Sequence, residues 1–535
     1  MEDDMNDLPR IRHEVLYGDR VVRCFADRPR NVDAMFRTAV AGFADRVAVI
    51  DEERRVTYAD LDRQVEAMAS GLMALGFQPG ERIALLMGNE LEFVVAVLAI
   101  ARAGLISVPL NTRQRMPEIE FVLNQNTSSA LIADAKHAEN IPPRSDVPQL
   151  RAVYLVGEDG GYPESEPLSA IPAAAKAGTE FPHVEEEDTL CLLYTSGTTG
   201  KPKGAMLTHV SSIHSVMHYA WAFKLQEGDV AFLSVPASHV TGLIAIILSA
   251  IHVGGTTVIV REFKARRFLE MAAKEQINYS LMVPAMYNLC LLDPDFRSFD
   301  LDCWRVAGFG GAPMPQSTIA ALARDLPNMV LHNVYGSTET TSPVTIMPGG
   351  QIAEHADTVG QVLPLADIIV VDDAGREVAP GESGELLIGG PMVVPGYWEN
   401  PEGNAKGFTG GYWVSGDIGS KDENGFVRVF DRKKDMINRA GFKVYCIEVE
   451  DVLASHSLVV EAAVVGVPDD VLGERVHAYI FLDGNQVDAD EIKNYCSARL
   501  SDYKVPDLVT FLDGPLPRNA NGKVLKNVLR DIKTA

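Results

Sequence analysis

The chain has 535 residues, 47% hydrophobic and 23% charged, with 73 acidic against 48 basic residues and a formal net charge of −25. That length exceeds one ordinary domain, and the composition is that of a soluble globular protein. No basic run is longer than Arg432-Lys433-Lys434, which excludes the clustered cations that hold a nucleic-acid backbone.

Residues 1 to about 35 read as an irregular lead-in, and Met1-Glu2-Asp3-Asp4 carries no signal-peptide core, so a cytoplasmic protein is expected. Six cysteines (Cys24, Cys191, Cys290, Cys303, Cys446, Cys496) form no CxxC pair and are expected reduced and mostly buried. Thr57 caps a predicted helix running to Leu75; Arg82 to Met87 is a strand and Leu91 to Ala103 a largely apolar helix. Leu190 to Tyr194 is a buried strand. Val230 to Val235, Thr256 to Val260 and Tyr279 to Val283 are strands alternating with helices Leu243 to Val253 and Arg267 to Glu275. Strand–helix alternation implies a parallel sheet. The most apolar window, Leu243 to Val260, is broken by His252 and Gly254-Gly255, so it reads as a buried helix and strand rather than a membrane span. From about Val359 short strands dominate (368–371, 384–388, 426–430), suggesting a small β subdomain. The charged break Asp431 to Asp435 is the natural domain boundary. Beyond it an α+β unit follows: helix 448–454, strands 459–467 and 475–482, helix 489–500 and strand 508–512.

The segment Thr195-Ser196-Gly197-Thr198-Thr199-Gly200-Lys201-Pro202-Lys203-Gly204 sets four hydroxyls, three glycines and two lysines in ten residues after a strand. Glycine lets backbone N–H groups approach a ligand, and hydroxyls and ammonium groups add hydrogen bonds and charge; this suits a polyphosphate. It is not the P-loop pattern, because Pro202 and Ala205 stand where the second glycine would fall. His332 to Glu339 adds a tyrosine able to stack on a purine and a Thr338-Glu339 pair able to bind phosphate and Mg²⁺; alone it reads equally as a strand end with an N-cap. Gly308-Phe309-Gly310-Gly311-Ala312-Pro313 is not a dinucleotide fingerprint, since the third glycine would fall on Pro313. Ser415-Gly416-Asp417 places a carboxylate after a tight turn, and Arg432 to Asp435 reads by itself as a solvated charged hairpin at a domain break. His239, in an apolar stretch, reads by itself as a core histidine or a catalyst. Lys523, after Asn521-Gly522, reads by itself as a turn residue.

These blocks, in this order, resemble the adenylate-forming superfamily of acyl-CoA synthetases, firefly luciferase and peptide-synthetase adenylation domains, from about Phe36 to Lys526. The resemblance implies an α/β multidomain fold: a large N-terminal region of two α/β subdomains and a β subdomain (1–430), a hinge (431–435) and a small mobile α+β domain (436–535). It implies ATP phosphates held by Thr195, Ser196, Gly197, Thr198, Thr199, Gly200, Lys203 and Thr338, with Mg²⁺ on Glu339 and Thr198. Gly310, Gly311, Ala312, Tyr335 and Gly336 would line adenine, and Asp417 and Arg432 the ribose. Lys434 would be the hinge, Gly441, Phe442 and Lys443 the CoA tunnel, Lys523 the catalytic lysine and His239 a gate. Val235, His239, Val240, Val283, Gly308 and Pro343 would wall the acyl pocket. The implied reaction is attack of a carboxylate on the α-phosphate of MgATP, then attack of CoA on the acyl-AMP.

The implied partners are a small carboxylic acid and coenzyme A, with no nucleic acid and no integral membrane; a homodimer stays open. The pocket walls lack a cation for a second carboxylate, so a short or medium acid with a neutral tail is expected. Overall likeness is to bacterial ligases of 3-methylmercaptopropionate, formed from dimethylsulfoniopropionate, with other short to medium fatty acids and aryl acids open. A luciferase-like oxygenase, a nucleotide-binding regulator and a stand-alone adenylation enzyme for a carrier protein are the alternatives; with twelve residues after Lys523, no fused carrier domain is expected.

Overall fold

The structure is a computed structural model that describes residues 8–157, 161–195, 201–482, 484, 487–519 and 522–532. The chain divides into two compact units. One comprises Met1–Ile368, Ile388–Val414 and Asn424–Phe426; the other comprises Ile369–Leu387, Ser415–Glu423 and Val427–Ala535.

The first unit holds two large sheets with the expected parallel interiors. In one, Val330–Tyr335, Val306–Phe309, Tyr279–Met282, Val230–Leu233, Thr256–Ile259 and Val47–Asp51 run side by side and parallel. Antiparallel edge strands flank them, Arg54–Thr57 at one side and Thr345–Ile346 then Gln361–Val362 at the other. The second sheet has the order Lys203–Thr208, Thr189–Thr195, Ile106–Pro109, Arg82–Leu86, Ala130–Asp134, Ala152–Val156 and Glu166–Pro167; its first pair is antiparallel. Strands covered on both faces read as unbroken apolar runs, as Leu190 to Leu193 does, and all four of these residues are buried. Helix Leu91–Arg102 is buried at every position but Glu92. Its one buried cation, Arg102, is neutralised by Asp33 and Asp62, both at 2.7 Å, as a buried charge requires.

Two elements differ from expectation. The lead-in is not irregular: Ile11–Leu16 and Arg20–Phe25 form an antiparallel hairpin around Tyr17 and Gly18, both with positive φ. Its outward valines, Val15 and Val21, are exposed, so no clean alternation of apolar and polar residues announced it. The helix expected over Leu243 to Val253 begins at Thr241 and is wound as a π-helix over Thr241–Leu248 before Ser249–His252 resumes α geometry. Gly242 presses against the preceding turn, where a Cβ would lie 2.3 Å from the Pro236 carbonyl oxygen. Ser249 Oγ donates to Ile244 O, five residues back, at 2.9 Å. A helix apolar all round carries no period from which to read its winding.

The second unit contains the sheet of Phe442–Val444, Ile437–Arg439, Gly473–Leu482, Val459–Asp469 and Leu508–Leu512, with helices Cys446–Ala454 and Ala489–Ser497. Its core gathers Ile437, Val444, Val449, Val464, Val476 and Ile492. Among the described residues no helix is long and apolar enough to cross a membrane. Five cysteines are buried, and Cys303 is exposed.

Candidate active site

Four of the parallel strands end side by side, and each is followed by a predicted site segment. Val230–Leu233 leads to Val235 and His239, Tyr279–Met282 to Val283, Val306–Phe309 to Gly310, Gly311 and Ala312, and Val330–Tyr335 to Gly336. Ligands of open α/β sheets bind at the carboxyl ends of the strands. The glycines are where the backbone is closest: a Cβ on Gly310 would stand 2.5 Å from Val334 O, and one on Gly308 would stand 3.0 Å from both Leu281 Cγ and Phe223 Cζ. Tyr335 is partly buried, Gly311 and Ala312 are exposed, and Val240 and Pro343 are buried.

Beside these strand ends the phosphate segment is framed by an antiparallel pair, Thr195 opposite Lys203. Ser196, Gly197, Thr198, Thr199 and Gly200 lie outside the described residues. Thr195 Oγ1 donates to Glu339 Oε1 at 3.3 Å. Glu339 and Thr338 lie in a single 3₁₀ turn, Thr338–Thr340, capped by Ser337. The Glu339 side chain is 7% exposed. Its Oε1 also accepts from Tyr397 Oη at 2.9 Å, and its Oε2 accepts from Ser337 Oγ at 2.5 Å. Lys203 Nζ stands 5.0 Å over the Tyr397 ring. One carboxylate amid hydroxyl oxygens suits a hard cation completed by substrate phosphates, which is how Mg²⁺ is usually bound. No cluster of three or more His, Cys, Asp or Glu among the described residues offers a cage for another metal.

Tyr397 was not singled out in the sequence. It reaches the site because Gly396 to Trp398 adds as a short strand to Lys203–Thr208: Met206 N donates to Gly396 O at 3.0 Å and Trp398 N to Gly204 O at 2.8 Å. Asn404 fixes it from behind, accepting from Tyr397 N at 2.6 Å. The sole local sign was an aromatic pair after Pro395-Gly396.

His239 is exposed, and its Nδ1 accepts from Thr241 N at 3.2 Å. Nδ1 is therefore the acceptor and the ring proton sits on Nε2. Desolvation by the surrounding protein lowers its pKa below the ordinary histidine value, so the imidazole is neutral at pH 7.

In the second unit Asp417 lies within strand Tyr412–Lys421, not after a free turn; the supposed turn is Gly416, held at φ +68 inside the strand. Asp417 faces Arg432 across the strand pair, with Arg432 Nε 2.8 Å from Asp417 Oδ1. Arg432 also donates to Ser415 O at 3.1 Å. Lys523 belongs to this cluster. Its pKa is lowered by desolvation first and then by Arg432 and Lys434, against Asp417 and Asp435. Its backbone N–H donates to Asn519 Oδ1 at 2.9 Å, and Gly522 takes a positive φ, so Lys523 rides on a tight turn. The run 431–435 is not a uniformly solvated hairpin: Asp431 and Asp435 are buried, while Lys433 and Lys434 are exposed. Arg530 reaches Asp435 at 2.7 Å. Ala440 and Gly441, both with positive φ, close a two-residue hairpin between Ile437–Arg439 and Phe442–Val444. Phe442 is exposed and stacks on Tyr503 at 4.7 Å, and Lys443 lies 3.8 Å from Asp373.

An open groove of about 570 Å³ runs along the opposite edge of the nine-stranded sheet, between Val56, Asp60, Arg63, Glu92 and Leu168. It contains none of the predicted site residues.

The sequence pattern described as AMP-binding enzyme matches residues 36–398, and that described as AMP-binding enzyme C-terminal domain matches 448–523. A feruloyl-CoA synthase of Amycolatopsis sp is 34% identical over 476 residues, 89% of this chain and 93% of that protein. A long-chain-fatty-acid–CoA ligase of Mycobacterium tuberculosis is 33% identical over 480 residues, again 89% and 93%. The structure of O-succinylbenzoate coenzyme A synthetase from Bacillus subtilis, in complex with ATP and magnesium ion, superimposes with a TM-score of 0.83 at 29% identity, covering 93% of this chain and 99% of that one.

Proposed function

The chain belongs to the AMP-binding enzyme family and is an ATP-dependent acyl-CoA ligase working through an acyl-AMP intermediate; from that premise we propose its site roles and its acid. ATP, Mg²⁺ and CoA are its cofactors and co-substrate. The reading assigns the phosphates to Thr195, Lys203 and Thr338 together with the Ser196 to Gly200 segment. Glu339 would hold Mg²⁺, which neutralises phosphate charge during adenylation. Adenine lies at the ends of Val306–Phe309 and Val330–Tyr335, against Gly310 and Tyr335, and the ribose at Asp417 and Arg432. Lys523 places a cation at the α-phosphate as charge builds there, stabilisation greatest in the transition state. Two half-reactions on one site need two arrangements, and the turn at Lys434 is the pivot that supplies them. Residues 436–535 then form the mobile part, presenting the Gly441 hairpin to CoA, with neutral His239 at the passage from acyl pocket to thiol.

The acid is short or medium with an uncharged tail, and 3-methylmercaptopropionate is the first candidate. One observation carries this: the space behind Gly308 and Pro343 is filled. Phe223 and Leu281 crowd Gly308, and Tyr287 Oη donates to Gly308 O at 2.7 Å. Tyr219 Oη shares a hydrogen bond with Ser342 Oγ at 2.8 Å. All four side chains are buried and none is a cation. The test is a panel of 3-methylmercaptopropionate, butyrate, hexanoate, ferulate, o-succinylbenzoate and palmitate with ATP and CoA, read as AMP formed. Short neutral acids should give the highest kcat/KM; a higher value for ferulate or palmitate would overturn the assignment.

A further inference from the structure

The hairpin 11–25 lies upstream of the stretch matched by the family pattern. It nevertheless carries a buried cation. Arg20 is 8% exposed. Its guanidinium donates to three successive carbonyls, Val393 O at 3.3 Å, Val394 O at 3.0 Å and Pro395 O at 2.9 Å. Its nearest carboxylate, Asp19, stands 3.8 Å away and is exposed, so the close partners are backbone oxygens. The same short arm is fastened to Glu339 on its other side: Val394 N donates to the Glu339 backbone carbonyl at 3.0 Å, and Tyr397 Oη donates to its carboxylate at Oε1, 2.9 Å away. A second tie runs from the hairpin to the phosphate strand, where Tyr17 Oη shares a hydrogen bond with Thr208 Oγ1 at 2.8 Å. The Arg20 guanidinium lies 5.1 Å over the Tyr17 ring.

We propose that Arg20 is a positioning residue for adenylation: by clamping the 393–395 carbonyls it sets Tyr397, and through Tyr397 the Glu339 carboxylate. The planar fork of an arginine presents several N–H groups in fixed directions, which an ammonium group does not. Groups that orient a metal ligand commonly change metal affinity or activity by about 10- to 100-fold when removed. The inference rests on the reading of Glu339 as the Mg²⁺ carboxylate.

The test uses the full chain with Arg20→Lys, Arg20→Met and Tyr397→Phe, and each Arg20 change combined with Tyr397→Phe. Binding of Mn²⁺·ATP is measured by calorimetry without acid or CoA, alongside pyrophosphate release, thioester formation from presynthesised acyl-AMP, and melting temperature. Arg20→Lys keeps the charge and guards against loss of the fold in Arg20→Met. Arg20→Lys should weaken Mn²⁺·ATP binding about tenfold and slow adenylation, with thioester formation far less affected. Most of that loss should vanish in the Tyr397→Phe background, because groups acting through one another are not additive. A lowered melting temperature with unchanged Mn²⁺·ATP affinity, or equal losses in both backgrounds, would overturn the proposal. If Tyr397→Phe itself leaves Mn²⁺·ATP binding untouched, the Glu339 assignment fails. If Tyr397→Phe weakens binding and Arg20→Lys does not, the role of Arg20 alone fails.

Discussion

Replacing Tyr397 with phenylalanine removes one oxygen and keeps the ring. That oxygen donates to Glu339 Oε1 at 2.9 Å in a buried setting. A hydrogen bond to a charged group contributes roughly 1.5–3 kcal/mol. The lower end applies here, because Ser337 at 2.5 Å and Thr195 at 3.3 Å still donate to the carboxylate. A loss of ~1.5 kcal/mol corresponds to about a tenfold change in rate or affinity. It should appear in the metal requirement, since the carboxylate loses its orientation. The stacking of Lys203 on the ring survives the change, so binding of metal-free ATP should hold. The assay is pyrophosphate release against Mg²⁺ concentration at fixed ATP. The curve should shift to higher Mg²⁺ by about tenfold. An unshifted curve, or equally weakened binding of metal-free ATP, would refute the argument that the hydroxyl rather than the ring matters.

Four buried histidines of the first unit make the fold acid-sensitive. Burial lowers His209 and His332 to about 4 and His214 and His218 to about 3, against ~6.5 in an unfolded chain. Below pH 6.5 the unfolded chain takes up protons that the folded one refuses. The stabilisation is therefore complete above that pH and is lost as pH falls toward 4 and 3. At pH 5 each histidine costs about 2 kcal/mol, and the four together rival a domain's whole stability. Urea midpoints at pH 7.5 and 5.0 should differ sharply, and equal midpoints would contradict the shifts. Lys523→Ala should slow acyl-AMP formation by at least ~10²-fold while thioester formation from presynthesised acyl-AMP largely persists; equal losses in both steps would remove its role. Lys434→Pro should do the reverse, because a fixed φ near −65° in the turn closed by Asp435 and Met436 N–H groups on Arg432 O blocks the second arrangement. Normal CoA transfer in single-turnover measurements of that variant would exclude a pivot at this residue.

What could be read without coordinates is what depends on neighbours in the chain. The loop chemistry of Thr195 to Gly204 and the strand-end glycines Gly310 and Gly336 are local patterns, since turn geometry and backbone approach are set within a few residues. The alternation of strands and helices carries the parallel sheets for the same reason. The π-wound start of the Thr241 helix was not legible, because it follows from how tightly Gly242 meets Pro236. Nor was the fixing of Glu339. Its donor Tyr397 lies 58 residues away, and Arg20 reaches Val394 across 374 positions. The spacing of residues that meet across sheets and loops leaves no period in the sequence. A buried carboxylate must find donors wherever the fold brings them, and here only the tertiary structure decided that two of them are Tyr397 on the 393–397 arm and Thr195 at the end of a strand 144 positions upstream.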